Sequence, residues 1–315
     1  MKAYLFLIGL LLIAGLNQLQ AQCCAAGNPL NMMLDTQPLG KQNLRVSLLY
    51  RHSLSNTYYQ ESKPIEINYL DNSGFHYLEF SALYNITEQL GIQAEVGYFL
   101  SKFESYKNPM INKSEGYGLA DLNLMLRYDL IQKPFEKFNL GLSGGMKLPV
   151  GVFDQQVAQV KLPINVQPSS GSYRYHGGIT LAKGFRYAPW QILGSAMIEY
   201  SQRISSRFFD YQYGTVYAFQ AGSSYTFHSK AMGILQFRTE IREQSKRENN
   251  QIVNASGGEI VLLVPQINFI PVKNMGVNLS FSLPVYRRYN DIQFGNKYSF
   301  SLAISSTQKL SKQSL

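Results

Sequence analysis

Cysteine is nearly missing from this chain of 315 residues, which has two, Cys23 and Cys24, side by side. Neighbouring cysteines close only a strained vicinal ring, so no ordinary long-range disulfide staples the fold. Histidine is scarce too, at four positions, His52, His76, His176 and His228. No H-E-x-x-H or Walker-type glycine loop occurs, and the chain reads as a non-enzyme. Charged residues make up only 16%, there is one tryptophan, and past the first 22 residues no stretch is apolar for long enough to span a bilayer as a helix. A helical membrane protein is excluded. The formal charge of +9 comes from scattered residues, Arg287 and Arg288 being an isolated pair. No basic patch for nucleic acid is present, and the charge reads as a surface or pore property.

The start of the chain resembles an export signal. Lys2 precedes a thirteen-residue apolar run, 4–16, which is shorter than the ~20 residues a spanning helix needs. Cleavage is expected after Ala21 or Gln22. The expected organisation is a removed signal at 1–22, a periplasmic N-terminal segment or partial plug at 23–41, and a barrel at 42–310.

What the chain has in quantity is aromatic residues, 22 Tyr and 18 Phe, and alternation. In "LADLNLMLRYDL", Ala120, Leu122, Leu124, Leu126, Tyr128 and Leu130 take one parity, and Asp121, Asn123, Arg127 and Asp129 the other. "LGIQAEVGYFL" and "MGVNLSFSLPV" repeat the pattern, the mark of strands with two unlike faces. It predicts twelve strands, near 43–54, 75–87, 90–103, 117–130, 138–149, 173–185, 190–203, 214–228, 231–243, 258–270, 275–288 and 296–308. Every second connection is short; the others, such as 55–74, 104–116 and 149–172, are mostly long and polar.

Strands of this length, short turns at one end and aromatics at strand ends argue for an all-β, transmembrane, antiparallel up-and-down β-barrel. About twelve strands are expected, with ten or fourteen as alternatives. A soluble β-sandwich is the competing architecture, but its strands usually run near five or six residues. The barrel places the protein in the outer membrane, with lipid, the barrel assembly machinery and a small-molecule solute as expected partners. Nucleic acid is not among them, and the sequence does not determine an oligomeric state.

Two neighbouring strands carry a further pattern. "GYGLADLNLMLRYDLI" followed by "FNLGLSGGMKLPVG" resembles the paired strands of the phenol meta-pathway outer-membrane family. The matching positions are Gly116, Gly118, Asp121 and Tyr128, then Lys147, Pro149 and Gly151. The step from Gly118 to Asp121 is longer than in the tightest form of that pattern. The resemblance implies a transporter-type barrel, distantly like the long-chain fatty-acid channel, that passes small hydrophobic or aromatic compounds. A structural or adhesive barrel whose loops bind a partner is the alternative from another class.

The polar parity nominates the lumen-lining residues Glu95, Asp121, Arg127, Lys147, Glu199, Arg238, Glu240 and Arg242. On the lipid face an Arg or Lys near the midplane would cost about 2–4 kcal/mol, so the interior is their place. There they either form a network of opposite charges that stiffens the barrel or line a pore and set its selectivity. The connector 149–172 carries apolar residues that a merely solvated loop does not need. It reads as a constriction or as an ordered external loop.

Cys23 has Gln20 and Gln22 at minus three and minus one, which disfavours a lipid anchor. Cys23, Cys24, Met32 and Met33 are soft sulfur ligands within eleven residues, a set that would suit copper as Cu(I). Packing of this segment into the periplasmic mouth stays open beside that reading. No other cofactor is implied.

Overall fold

The computed structural model describes residues 39–108, 113–157, 159–206 and 209–310. The leader, Cys23, Cys24, Met32 and Met33 lie outside the described residues. Twelve long strands form the body: β1 (Asn43–Gln60), β2 (Leu70–Asn85), β3 (Leu90–Tyr106), β4 (Lys113–Lys133), β5 (Phe138–Leu148), β6 (Arg174–Gly184), β7 (Trp190–Ser201), β8 (Val216–His228), β9 (Ala231–Arg242), β10 (Gly258–Phe269), β11 (Met275–Tyr289) and β12 (Gln293–Lys309). No α-helix occurs among the described residues. Each strand pairs antiparallel with the next, and β1 pairs with β12 from Asn43↔Lys309 to Tyr59↔Gln293. The sheet therefore closes on itself and leaves no edge, the condition a sheet must meet to cross lipid.

Alternation divides the two faces. Leu48, Phe80 and Leu126 point outward and are about half exposed, at 51%, 50% and 55%. Their inward neighbours along the strands include Leu49, Glu79 and Arg127, of which Leu49 and Glu79 are buried. A band of exposed Leu, Ile, Val and Phe thus surrounds the barrel, as a hydrocarbon environment requires. Aromatics edge it at one end with Tyr128, Trp190 and Tyr225, and at the other with Tyr98, Tyr175 and Tyr200, all exposed.

The turns at 86–89, 134–137, 185–189, 229–230 and 270–274 are short, and both ends of the barrel chain lie on that side. There Asn85 donates its side-chain amide to the carbonyl of Leu39. Long connections lie at the opposite end, with three departures from the expected pattern. β1 continues to Gln60 and turns back through a short strand, Lys63–Ile65, so much of 55–74 is ladder rather than loop. β3 and β4 likewise pair up to Ser105↔Lys113. The β11–β12 connection shortens to 290–292 because both strands run on. Where strands project beyond the belt, the backbone keeps pairing, since exposed N–H and C=O groups gain more from a ladder than from an open loop.

Candidate functional site

The interior is built by the second parity. Its groups join across an intervening strand, which only the concave face allows. Lys147 on β5 donates to Glu199 on β7 at 2.5 Å, passing over β6. Arg174 on β6 reaches Asp121 on β4 at 2.5 Å, passing over β5, and Glu199 at 3.1 Å. All four side chains are largely shielded, between 3% and 11% exposed. Two acids and two bases thus neutralise one another in a buried tetrad. Such groups are retained only when each charge is paired, because an unpaired one would carry its full desolvation cost.

A second chain of contacts runs from β6 to β3. His176 Nε2 lies 2.7 Å from Asn123 Oδ1, and Asn123 donates to Glu95 at 2.8 Å. Gln93 also donates to Glu95, at 2.6 Å, and receives Arg127 at 3.3 Å. On the far wall Arg238 and Glu240 of β9 lie 4.0 Å apart, within electrostatic reach of Arg51 on β1. Arg242, opposite Val216 in register, contributes to the field at Glu199. All eight nominated positions therefore lie on the inward parity. Asp121, Lys147 and Glu199 come together, Glu95 and Arg127 join through Gln93, and Arg238 and Glu240 form a separate pair.

Sequence reasoning passed over Arg174, which links the two acids, and also His176, Arg51 and Glu79. Arg174, His176 and Thr180 alternate with Tyr175, Ile179 and Leu181. That alternation is the signal that could have found Arg174 and His176; the glycines at 177 and 178 blur it. Ala120 had been assigned to the apolar outward face, but it is buried and packs in the interior with Phe75, Tyr77 and Phe99. The cause is a bulge. Val96 pairs with Leu122 and Tyr98 with Leu119, so Ala120 and Asp121 together oppose Gly97. The bulge turns both Ala120 and Asp121 inward.

The connector between β5 and β6 folds onto this wall. Asp121 accepts Ser169 Oγ at 2.6 Å, Ser170 Oγ at 2.6 Å and the Ser170 amide at 3.1 Å, as well as Arg174. Lys102 donates to the Gln167 carbonyl at 3.0 Å while lying 4.9 Å above the Phe99 ring. Val166 and Gln167 are each 1% exposed. Two glycines make the close approach feasible. A Cβ at Gly116 would lie 2.1 Å from the Val166 carbonyl oxygen, and Gly118 has φ +129° with its open side against Pro168. A second long connection braces the first, since Tyr213 donates to the Ser170 carbonyl at 3.1 Å. Burial pushes the Tyr213 hydroxyl far above the ordinary phenol range, so it stays a donor throughout neutral pH.

At the short-turn end a cavity of about 570 Å³ lies between the turns 134–137 and 185–189. Gln132, Lys133, Lys137, Trp190, Gln191 and Ser224 are among the side chains that line it. Among the described residues no group of three or more His, Cys, Asp and Glu is arranged to hold a metal.

No protein-family model and no curated protein sequence matches the chain. Among solved structures it is similar to the crystal structure of an outer-membrane channel from Pseudomonas putida F1. The TM-score is 0.68 at 12% identity, over 89% of this chain and 99% of that one. The NanC porin gives 0.47 at 10% identity, over 84% and 98% of the two chains. A Pseudomonas aeruginosa FadL homologue gives 0.44 at 8%, over 86% and 91%. The first likeness establishes the fold, a barrel of the outer-membrane type; the other two are too loose to weigh.

Proposed function

We propose that the barrel is an outer-membrane channel for small molecules, narrowed by its own 149–173 connector and latched at Asp121. The observation that carries this reading is the connector's attachment to inward-facing groups. Lys102, Gly116, Asp121 and Arg174 all belong to the interior wall, so the segment they hold lies on the solute side of the barrel rather than above it. A polar, charge-lined interior supports passage of hydrated solute, and paired charges of both signs argue against a strong preference for either ion.

The finer reading is that the solutes are small hydrophobic or aromatic compounds. Its support is the meta-pathway pattern at Gly116, Gly118, Asp121, Lys147, Pro149 and Gly151.

Single-channel recording in planar bilayers tests the channel. Conductance steps are expected, and larger ones from Asp121→Asn, which loses the charge-assisted bonds to Ser169, Ser170 and Arg174. A folded barrel that gives neither conductance nor solute flux in liposome swelling would overturn the reading.

A further inference from the structure

The outer surface carries a feature that the channel does not use. His52 on β1 and His76 on β2 are direct cross-strand partners on the lipid-facing parity, opposite to the inward Arg51 and Tyr77. They lie one dyad beyond Tyr50 and Leu78, where the apolar belt gives way to Ser101, Glu115 and Lys113. We propose that His52 and His76 form a binding site for a borderline divalent transition-metal ion, Cu²⁺, Zn²⁺ or Ni²⁺, at this outer rim of the membrane belt.

Three observations carry the proposal. The ring centroids are 4.6 Å apart with the planes 30° from parallel. Two imidazoles bound cis to one ion through nitrogens at about 2.0–2.1 Å place their centroids about 4.5–5 Å apart, a separation that this pair already has. The rings project from adjacent strands of a closed barrel, a rigid mount that holds the bite distance.

His76 has an orienting partner. Its Nδ1 lies 2.8 Å from the Tyr50 hydroxyl, which leaves Nε2 for the metal. Metal-bound histidines characteristically give their other ring nitrogen to such an oxygen. On the next strands Glu115 lies within electrostatic reach of His76, accepts Ser101 Oγ and shares its charge with Lys113 at 2.8 Å.

Imidazole nitrogen selects borderline metals over Ca²⁺ and Mg²⁺, which prefer oxygen. Two protein ligands leave the other coordination positions to water or to a lipid headgroup oxygen.

The test uses the full barrel refolded in detergent, with Cys23→Ser and Cys24→Ser so that sulfur ligands do not compete. Zn²⁺ titration by calorimetry should give one site per chain. Cu²⁺ should show nitrogen hyperfine structure by electron paramagnetic resonance. His52→Asn and His76→Asn should each weaken binding at least tenfold, and Tyr50→Phe less than either. Absence of binding to the starting protein would overturn the proposal. So would unchanged affinity in the His52→Asn/His76→Asn double variant, provided that variant keeps the heat-modifiable gel mobility of a folded barrel.

Discussion

Glu199 receives Lys147 from one side and Arg174 from the other, so its carboxylate is the shared acceptor of the buried tetrad. Replacing it by Gln leaves two cations with too little compensation in a shielded interior. Removing one partner of a buried pair costs about 3–5 kcal/mol. Glu199→Gln is therefore expected to lower unfolding free energy by that order, read from urea titrations in lipid vesicles. A loss below about 1 kcal/mol would mean the tetrad is solvated and behaves like surface pairs. Gly116 gives the second residue-scale expectation. With a Cβ 2.1 Å from the Val166 oxygen, Gly116→Val must push the connector from the wall. The barrel should still fold, and protease should cut within 149–173 faster than in the parent, as mass spectrometry of the fragments would show.

At the scale of the element, each strand owes its position to one alternation with two solvents. The outward parity meets hydrocarbon and the inward parity meets the lumen, so equal chemistry has unequal cost on the two sides. Leu126→Arg, on an exposed outward position, should cost about 2–4 kcal/mol, whereas Met125→Arg, one residue earlier and inward, should cost far less. Folding titrations into vesicles measure both, and equal costs would contradict the parity.

This alternation was legible from residues alone, and most strands were placed by it to within a few residues. It failed at β4, where the bulge puts Ala120 and Asp121 against one partner residue. The inserted residue flips the phase, so the exposed outward positions are 117 and 119 before it but 124 and 126 after it, and one phase carried across the bulge misassigns Ala120. It also undercounted strand length at β1 and β12, whose outer ends pair beyond the belt, where no lipid enforces the pattern. Of the interior groups, Asp121, Lys147 and Glu199 were legible by parity. Arg174, which joins them, was hidden at a strand start beside a glycine pair.

For the whole molecule, closure is the decisive fact. β12 pairs with β1 along nearly its full length and with β11 on its other side. A chain truncated after residue 292 would expose two ladders of unpaired backbone groups, each group costing several kcal/mol in hydrocarbon. No heat-modifiable folded species is expected from it on semi-native gels, and a stable eleven-stranded product would refute this account of closure.

By itself the sequence determined the class of fold: an antiparallel barrel of about twelve strands, with which side chains face lipid and which face inward. That information is local, because a strand's two faces are written in neighbouring residues. Only the tertiary structure decided which inward groups meet. Asp121 joins Arg174, Lys147 joins Glu199, and the 149–173 connector folds onto Gly116, because barrel curvature brings together residues tens of positions apart. The same curvature and register placed His52 beside His76, a juxtaposition that no spacing along the chain encodes.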